Sequence, residues 1–190
     1  MMKHLKGVDY VLPPFVVIDF ETTGFSNKED EIIEYGAIKV DEDWKTTATF
    51  SQLAYPMYKI IPPNVSKLTG IDSNLLRQEQ ADLTFFVMED FLSFVGGYPV
   101  VGHNVKFDIG FIENALWVRR PDEPAVFTNP MVDTLHMAKK ILPGLPSYNL
   151  ANLCYRIGIR GKKFHRALYD VENTFELYCY LLEKIGVKIK

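Results

Sequence analysis

Phe15-Val16-Val17-Ile18-Asp19-Phe20-Glu21-Thr22-Thr23-Gly24 is the stretch on which the reading of this chain turns. Its apolar, largely β-branched opening predicts a strand buried on both faces, and that strand ends in two carboxylates. Strand side chains alternate, so Asp19 and Glu21 project to the same face. Burying two like charges side by side is costly unless a cation stands between them, and a divalent ion is the simplest candidate. Thr22-Thr23-Gly24 then turns the chain sharply, offering N–H groups and hydroxyls to a phosphate or a terminal nucleotide. A lone Asp-x-Glu is more often a solvated turn, so the rest of the site has to be sought elsewhere.

Upstream of the strand, residues 1–13 are polar and read as a short arm ahead of Pro13-Pro14. Downstream, residues 31–40 read as a second strand. Residues 44–53 read as a third strand, antiparallel to the second, which completes a three-stranded meander. A helical turn ended by Gly70 follows, then a short helix capped by Asp72 or Ser73. Thr84 is the expected cap of the next helix, residues 85–95, whose inner stripe is Phe86, Met88, Phe91, Leu92 and Val95.

A fourth strand at residues 98–102 runs into a helix with Val105, Ile109, Ile112 and Leu116 on one stripe. Asp108 falls in the first turns of that helix, at the carboxyl end of a strand, where α/β folds place ligands. Residues 119–130, broken by Pro121, Asp122, Glu123 and Pro124, are expected to be a surface loop. A short strand at residues 131–135 leads to a helix, with Asp133 as its cap. Ser147 is the expected cap of a helix reaching Ile157. The last helix, from about residue 166 to 185, buries Ala167, Val171, Thr174, Leu177, Tyr178 and Leu181, and it carries His165 and Asp170 at its start.

The chain has 190 residues, enough for one domain with a full core, and 47% of them are hydrophobic. No run of apolar residues is long enough to span a membrane, and the first residues lack a signal-peptide pattern, so a cytoplasmic place is expected. Cys154 and Cys179 stand far apart, and reduced thiols are expected. A net charge of −3 argues against bulk electrostatic attraction to nucleic acid. Arg156, Arg160, Lys162, Lys163 and Arg166 nevertheless form a local basic run without an acid.

Asp19, Glu21, Asp108 and Asp170, with no cysteine or histidine cluster, suit hard, oxygen-seeking ions such as Mg²⁺ or Mn²⁺. Two such ions can clamp the attacking and leaving oxygens of an in-line phosphoryl displacement. A histidine beside them is suited to take a proton from the attacking water. Metal-dependent phosphodiester hydrolysis is therefore the leading class of chemistry.

Taken together, the motifs resemble those of the DEDDh-type 3'-5' exonucleases of the DnaQ-like, proofreading family. They stand here as Asp19-Phe20-Glu21, as Asn104-Val105-Lys106-Phe107-Asp108 and as His165-Arg166-Ala167-Leu168-Tyr169-Asp170. The likeness covers about residues 14–184 and includes Glu31-Ile32-Ile33-Glu34-Tyr35-Gly36-Ala37 and Leu68-Thr69-Gly70-Ile71. It implies an α/β, ribonuclease H-like fold: a mixed five-stranded sheet containing the antiparallel meander, flanked by helices, in a single exonuclease domain.

The resemblance further implies that Asp19, Glu21, Asp108 and Asp170 bind two Mg²⁺ or Mn²⁺ ions and that His165 is the general base. Thr22, Thr23 and Phe25 are expected to line the terminal-nucleotide pocket, with Asn104 as a hydrogen-bonding brace and Phe107 in the core. Some relatives use a glutamate near Asn64 and a histidine near Thr69, from which this chain departs. The implied substrate is a nucleic-acid 3' end, DNA preferred, with a DNA polymerase as a candidate partner. The alternatives are an exoribonuclease and a non-catalytic adaptor. The basic run would then hold the phosphate backbone beside the site.

Overall fold

The central strand of the sheet is the one that carries the two carboxylates. In chain order the elements begin with β1 (Lys3–Leu5), β2 (Val8–Tyr10), β3 (Phe15–Thr22), β4 (Ile32–Val40) and β5 (Thr46–Tyr55). Then come α1 (Pro63–Thr69), α2 (Ser73–Gln78), β6 (Asp82–Leu83), α3 (Thr84–Val95) and β7 (Val100–Gly102). The chain continues with α4 (Lys106–Arg119), β8 (Met131–Asp133), α5 (Thr134–Ile141), α6 (Leu150–Ile157) and α7 (Ala167–Ile185). The computed structural model describes residues 1–119, 122, 126–159 and 164–189. Arg160, Lys162 and Lys163 of the basic run, and Pro121, Glu123 and Pro124 of the expected loop, lie outside the described residues.

The sheet order is β6-β5-β4-β3-β7-β8. β3, β4 and β5 form the antiparallel meander, and β7 and β8 run parallel to β3. The expected five strands are thus joined by a two-residue sixth, β6, parallel to the end of β5. Alternation along β3 splits the core between the two faces of the sheet. Phe15 and Val17 pack with Tyr178, Leu181 and the rest of the α7 layer. Val16, Ile18 and Phe20 pack with Phe91 of α3 and Ile112 of α4. Asp19 and Glu21 continue the odd-numbered series, so they emerge on the α7 side.

Several local expectations need correction. Residues 1–13 are not a simple arm, because β1 and β2 pair as a hairpin turned by Lys6 and Gly7 at φ 50° and 78°. Three-residue strands are too short to register as periodicity, and this hairpin depends on distant partners. The Tyr178 hydroxyl accepts from the Val11 N–H at 2.9 Å and donates to the Val11 carbonyl at 2.7 Å. Thr84 does not cap α3; its hydroxyl instead meets the Tyr35 hydroxyl at 2.8 Å. Phe86 lies 55% exposed rather than on the inner stripe, which Val87 joins instead. Asn149, not Ser147, caps α6, accepting from the Asn152 N–H at 2.9 Å. Asp72 and Asp133 do cap α2 and α5 through their carboxylates.

Candidate active site

The partners of β3 across the sheet determine what can approach its carboxylates. Asp19 pairs with Gly36 of β4, and Glu21 pairs with Glu34. A methyl group at Gly36 would stand 2.5 Å from the carbonyl carbon of Ala167, the first residue of α7. The start of α7 therefore rests on bare β4 backbone beside Asp19, a seat that only glycine leaves open. This approach brings Asp170, in the first turn of α7, to the carboxylate end of β3. Ligand atoms of Glu21, His165 and Asp170 all lie within 4.8 Å of one another.

Asp108 arrives from the other face. It is 3% exposed in the first turn of α4, and its Oδ1 accepts the Phe20 N–H at 3.0 Å. The peptide between Asp19 and Glu21 is thus what holds it. Asn104, at φ 63°, turns the chain into α4 while its own N–H donates to Asp133 Oδ1 at 2.9 Å. Among the described residues, the contact that Asn104 makes here is through its backbone N–H. Phe107 is partly buried and meets the Phe111 ring at 5.1 Å.

His165 is exposed and takes φ 66°, and its N–H donates to Asp170 Oδ2 at 2.8 Å. The other oxygen, Asp170 Oδ1, is buried and has no hydrogen-bond partner. One carboxylate oxygen is fastened and the other is left without a donor, which is the disposition of a cation ligand.

The carboxylates strain against their surroundings. Burial and then repulsion from Asp108, Asp170, Glu21 and Glu34 hold Asp19 well above the ordinary carboxylate range. Burial, with Asp170 and Glu34 next, raises Glu21 to about 8. Burial also raises Asp108 to about 8 against the pull of its backbone hydrogen bonds, and it raises Asp170. Side chains driven this far toward neutrality are placed to ionise when a positive charge joins them. Oxygen-only carboxylates with a free lone pair at Asp170 fit Mg²⁺ or Mn²⁺.

The threonine turn is built differently from a simple substrate cradle. Thr23 is 2% exposed, its hydroxyl donates to Asp30 Oδ1 at 3.1 Å and accepts from the Glu31 N–H, so this side chain organises the loop. The Thr22 hydroxyl donates to the Gly24 carbonyl at 2.6 Å. Phe25 is 93% exposed and touches Phe107 edge-on at 6.5 Å, leaving a free aromatic face beside the second motif. Thr69, by contrast, is buried and bonded within its own helix.

Two residues at the site were not singled out from the sequence as site residues. Glu34 is 2% exposed, takes three contacts from Arg166 at 2.7 to 3.1 Å, and accepts the Ala167 N–H at 2.9 Å. Arg166, its side chain partly exposed, is therefore held in a fork-shaped ion pair with a buried glutamate, so its charge is matched within the fold and it is not a free member of the basic run. A glutamate set among the apolar residues at the start of a strand was the available signal for Glu34.

An antiparallel meander extended by parallel strands, with acids from β3, α4 and α7 gathered at one end, defines a ribonuclease H-like nuclease scaffold. Residues 16–178 match the RNase_T family, described as Exonuclease, and the chain belongs to it. Among curated relatives, DNA polymerase III subunit epsilon of Aquifex aeolicus (strain VF5) is 39% identical over 187 residues, covering 98% of this chain and 89% of that protein. DNA polymerase III PolC-type of Clostridium perfringens (strain 13 / Type A) is 36% identical over 172 residues, which span 90% of this chain and 11% of that much longer protein. The same architecture recurs in E. coli exonuclease I in complex with a dA16 oligonucleotide. The TM-score there is 0.71 at 22% identity, over 89% of this chain and 40% of that one.

Proposed function

We propose that this chain is a DEDDh-type 3'-5' exonuclease that hydrolyses phosphodiester bonds at DNA 3' ends and releases nucleoside monophosphates. The observation that carries the reading is the convergence of Glu21, His165 and Asp170, with ligand atoms within 4.8 Å, beside the buried Asp108 and the half-buried Asp19. Asp19, Glu21, Asp108 and Asp170 are the residues that would hold two Mg²⁺ or Mn²⁺ ions. Bound there, the ions supply charge neutralisation at the scissile phosphate and acidify the attacking water.

The protein's own groups do the remainder. His165, exposed beside Glu21 and Asp170, accepts the proton of the attacking water at its imidazole. Asp108 stays aimed because the Phe20 N–H holds its other oxygen. Phe25 offers its open face to the terminal base. The relatives named DNA polymerase III subunit epsilon and DNA polymerase III PolC-type support DNA as the substrate and a replicative polymerase as a partner. Among the described residues no helix is long and apolar enough to cross a membrane; a cytoplasmic place is part of the same proposal.

The test is digestion of matched 3'-labelled DNA and RNA oligonucleotides with Mg²⁺, Mn²⁺ or chelator, by the parent and by Asp19→Ala. Mononucleotide release from DNA that vanishes with chelator and with the substitution is expected. Preferential release from RNA would reassign the substrate, and no release with either ion would return the adaptor reading.

A further inference from the structure

Glu21 and Glu34 are directly opposed in the antiparallel pair β3–β4, so their side chains leave the same face of the sheet a few ångströms apart. Like charges in that relation destabilise a sheet unless something separates their fates. Here the two are treated in opposite ways. Glu34 is saturated by the Arg166 guanidinium and the Ala167 N–H, whereas Glu21 is left facing His165 and Asp170. Arg166 therefore stands one side chain away from Glu21, which shares its corner of the fold with Asp170. It adjoins His165 in the chain, and its side chain is 40% exposed, so it has room to move.

We propose that Glu34 is a positioning residue whose task is to hold the Arg166 guanidinium away from Glu21 and Asp170, reserving those carboxylates for the metal ions. The inference deepens the exonuclease reading and rests on it. An arginine is always charged and forks readily onto a carboxylate. Released from Glu34, it would pair with Glu21, a neighbour whose electrostatic influence it already feels. It would then compete with a divalent ion for the same oxygens.

The experiment measures Mn²⁺ binding to the metal-free full chain, by titration calorimetry and by the electron paramagnetic resonance of free Mn²⁺. The proteins are the parent, Glu34→Gln, Arg166→Met and the double variant. Glu34→Gln is expected to lose about tenfold or more in Mn²⁺ affinity. The double variant should return to within about threefold of the parent, because the competing cation is gone. Arg166→Met alone should bind as tightly as the parent or tighter. In turnover of a small nucleotide ester, Glu34→Gln should need more Mn²⁺ while the ester's KM at saturating Mn²⁺ stays within about twofold.

A double variant as weak as Glu34→Gln would overturn the proposal, since Glu34 would then act only by placing α7. So would unchanged affinity in Glu34→Gln. Weakened binding in Arg166→Met would overturn it as well, and that arm stands even if Glu34→Gln fails to fold. Absence of Mn²⁺ binding in the parent would sink the exonuclease reading itself, a result distinguishable from all of these.

Discussion

Asp108 Oδ1 accepts the N–H of Phe20, so the first turn of α4 is tied to the peptide that separates Asp19 from Glu21. Helix and strand therefore cannot shift independently at this point. Asp108→Asn keeps an oxygen acceptor for Phe20 but removes the charge. We expect the fold to survive, with kcat down on the order of 10²–10³-fold, the scale for losing one preorganised charge-stabilising group. Circular dichroism and single-turnover rates check the two halves of that outcome.

The raised carboxylates make stability depend on pH in a definite direction. Glu21 and Asp108 are pushed to about 8, from ordinary values of 4.5 and 3.8. Between those limits the folded chain retains protons that the unfolded chain has released, so stability falls as pH rises. Without metal, the Tm is expected to drop from pH 5 to pH 8.5. At a hundredfold excess of Mn²⁺ over its Kd, binding adds about 2.7 kcal/mol. That corresponds to roughly 5–10 °C for a chain of this size, and the pH slope should flatten. Differential scanning fluorimetry with and without chelator reads both effects; a flat metal-free profile would contradict the placement of these acids.

His165 holds Asp170 through its backbone and faces the site with its ring. Its φ of 66° penalises alanine but is tolerated by asparagine, which makes His165→Asn the informative substitution. The expected result is a loss of about 10²–10⁴-fold in kcat, the range of general-base contributions, with Mn²⁺ affinity within threefold of the parent. A matching collapse of metal affinity would make the imidazole a ligand instead.

Gly36 is the seat of α7, and a side chain there collides with Ala167. Gly36→Ala is expected to cost about 1–3 kcal/mol as an overpacked contact. Because α7 carries Asp170, activity should fall much further than the lowered Tm alone explains. Chemical denaturation beside kcat at a temperature well below the transition separates the two.

The chain announces some of this arrangement and conceals the rest. Asp19 and Glu21 share a strand, Asp108 and Asp170 open helices, and each can be read from spacing within a few neighbours. The meander and the inner stripe of α7 follow from periodicity in the same way. Glu34 and Arg166 are 132 positions apart, and nothing local says that their charges cancel. Arg166 reads as part of a basic run until the fold sets it against β4. Thr23 looks like a ligand-facing hydroxyl until Asp30 closes the loop on it. The hairpin at the start is hidden for a related reason: Lys140 reaches the Gly7 carbonyl at 2.6 Å, a contact only the tertiary structure creates.

The double hydrogen bond between Tyr178 and Val11 links the leading segment of the chain to the helix that bears Asp170. Hydrogen exchange ought to report β2 and the middle of α7 as one cooperative unit, opening together rather than fraying from the terminus inward. Removing that hydroxyl by Tyr178→Phe would uncouple the two segments, so that the leading residues could loosen while the nuclease helix stays closed.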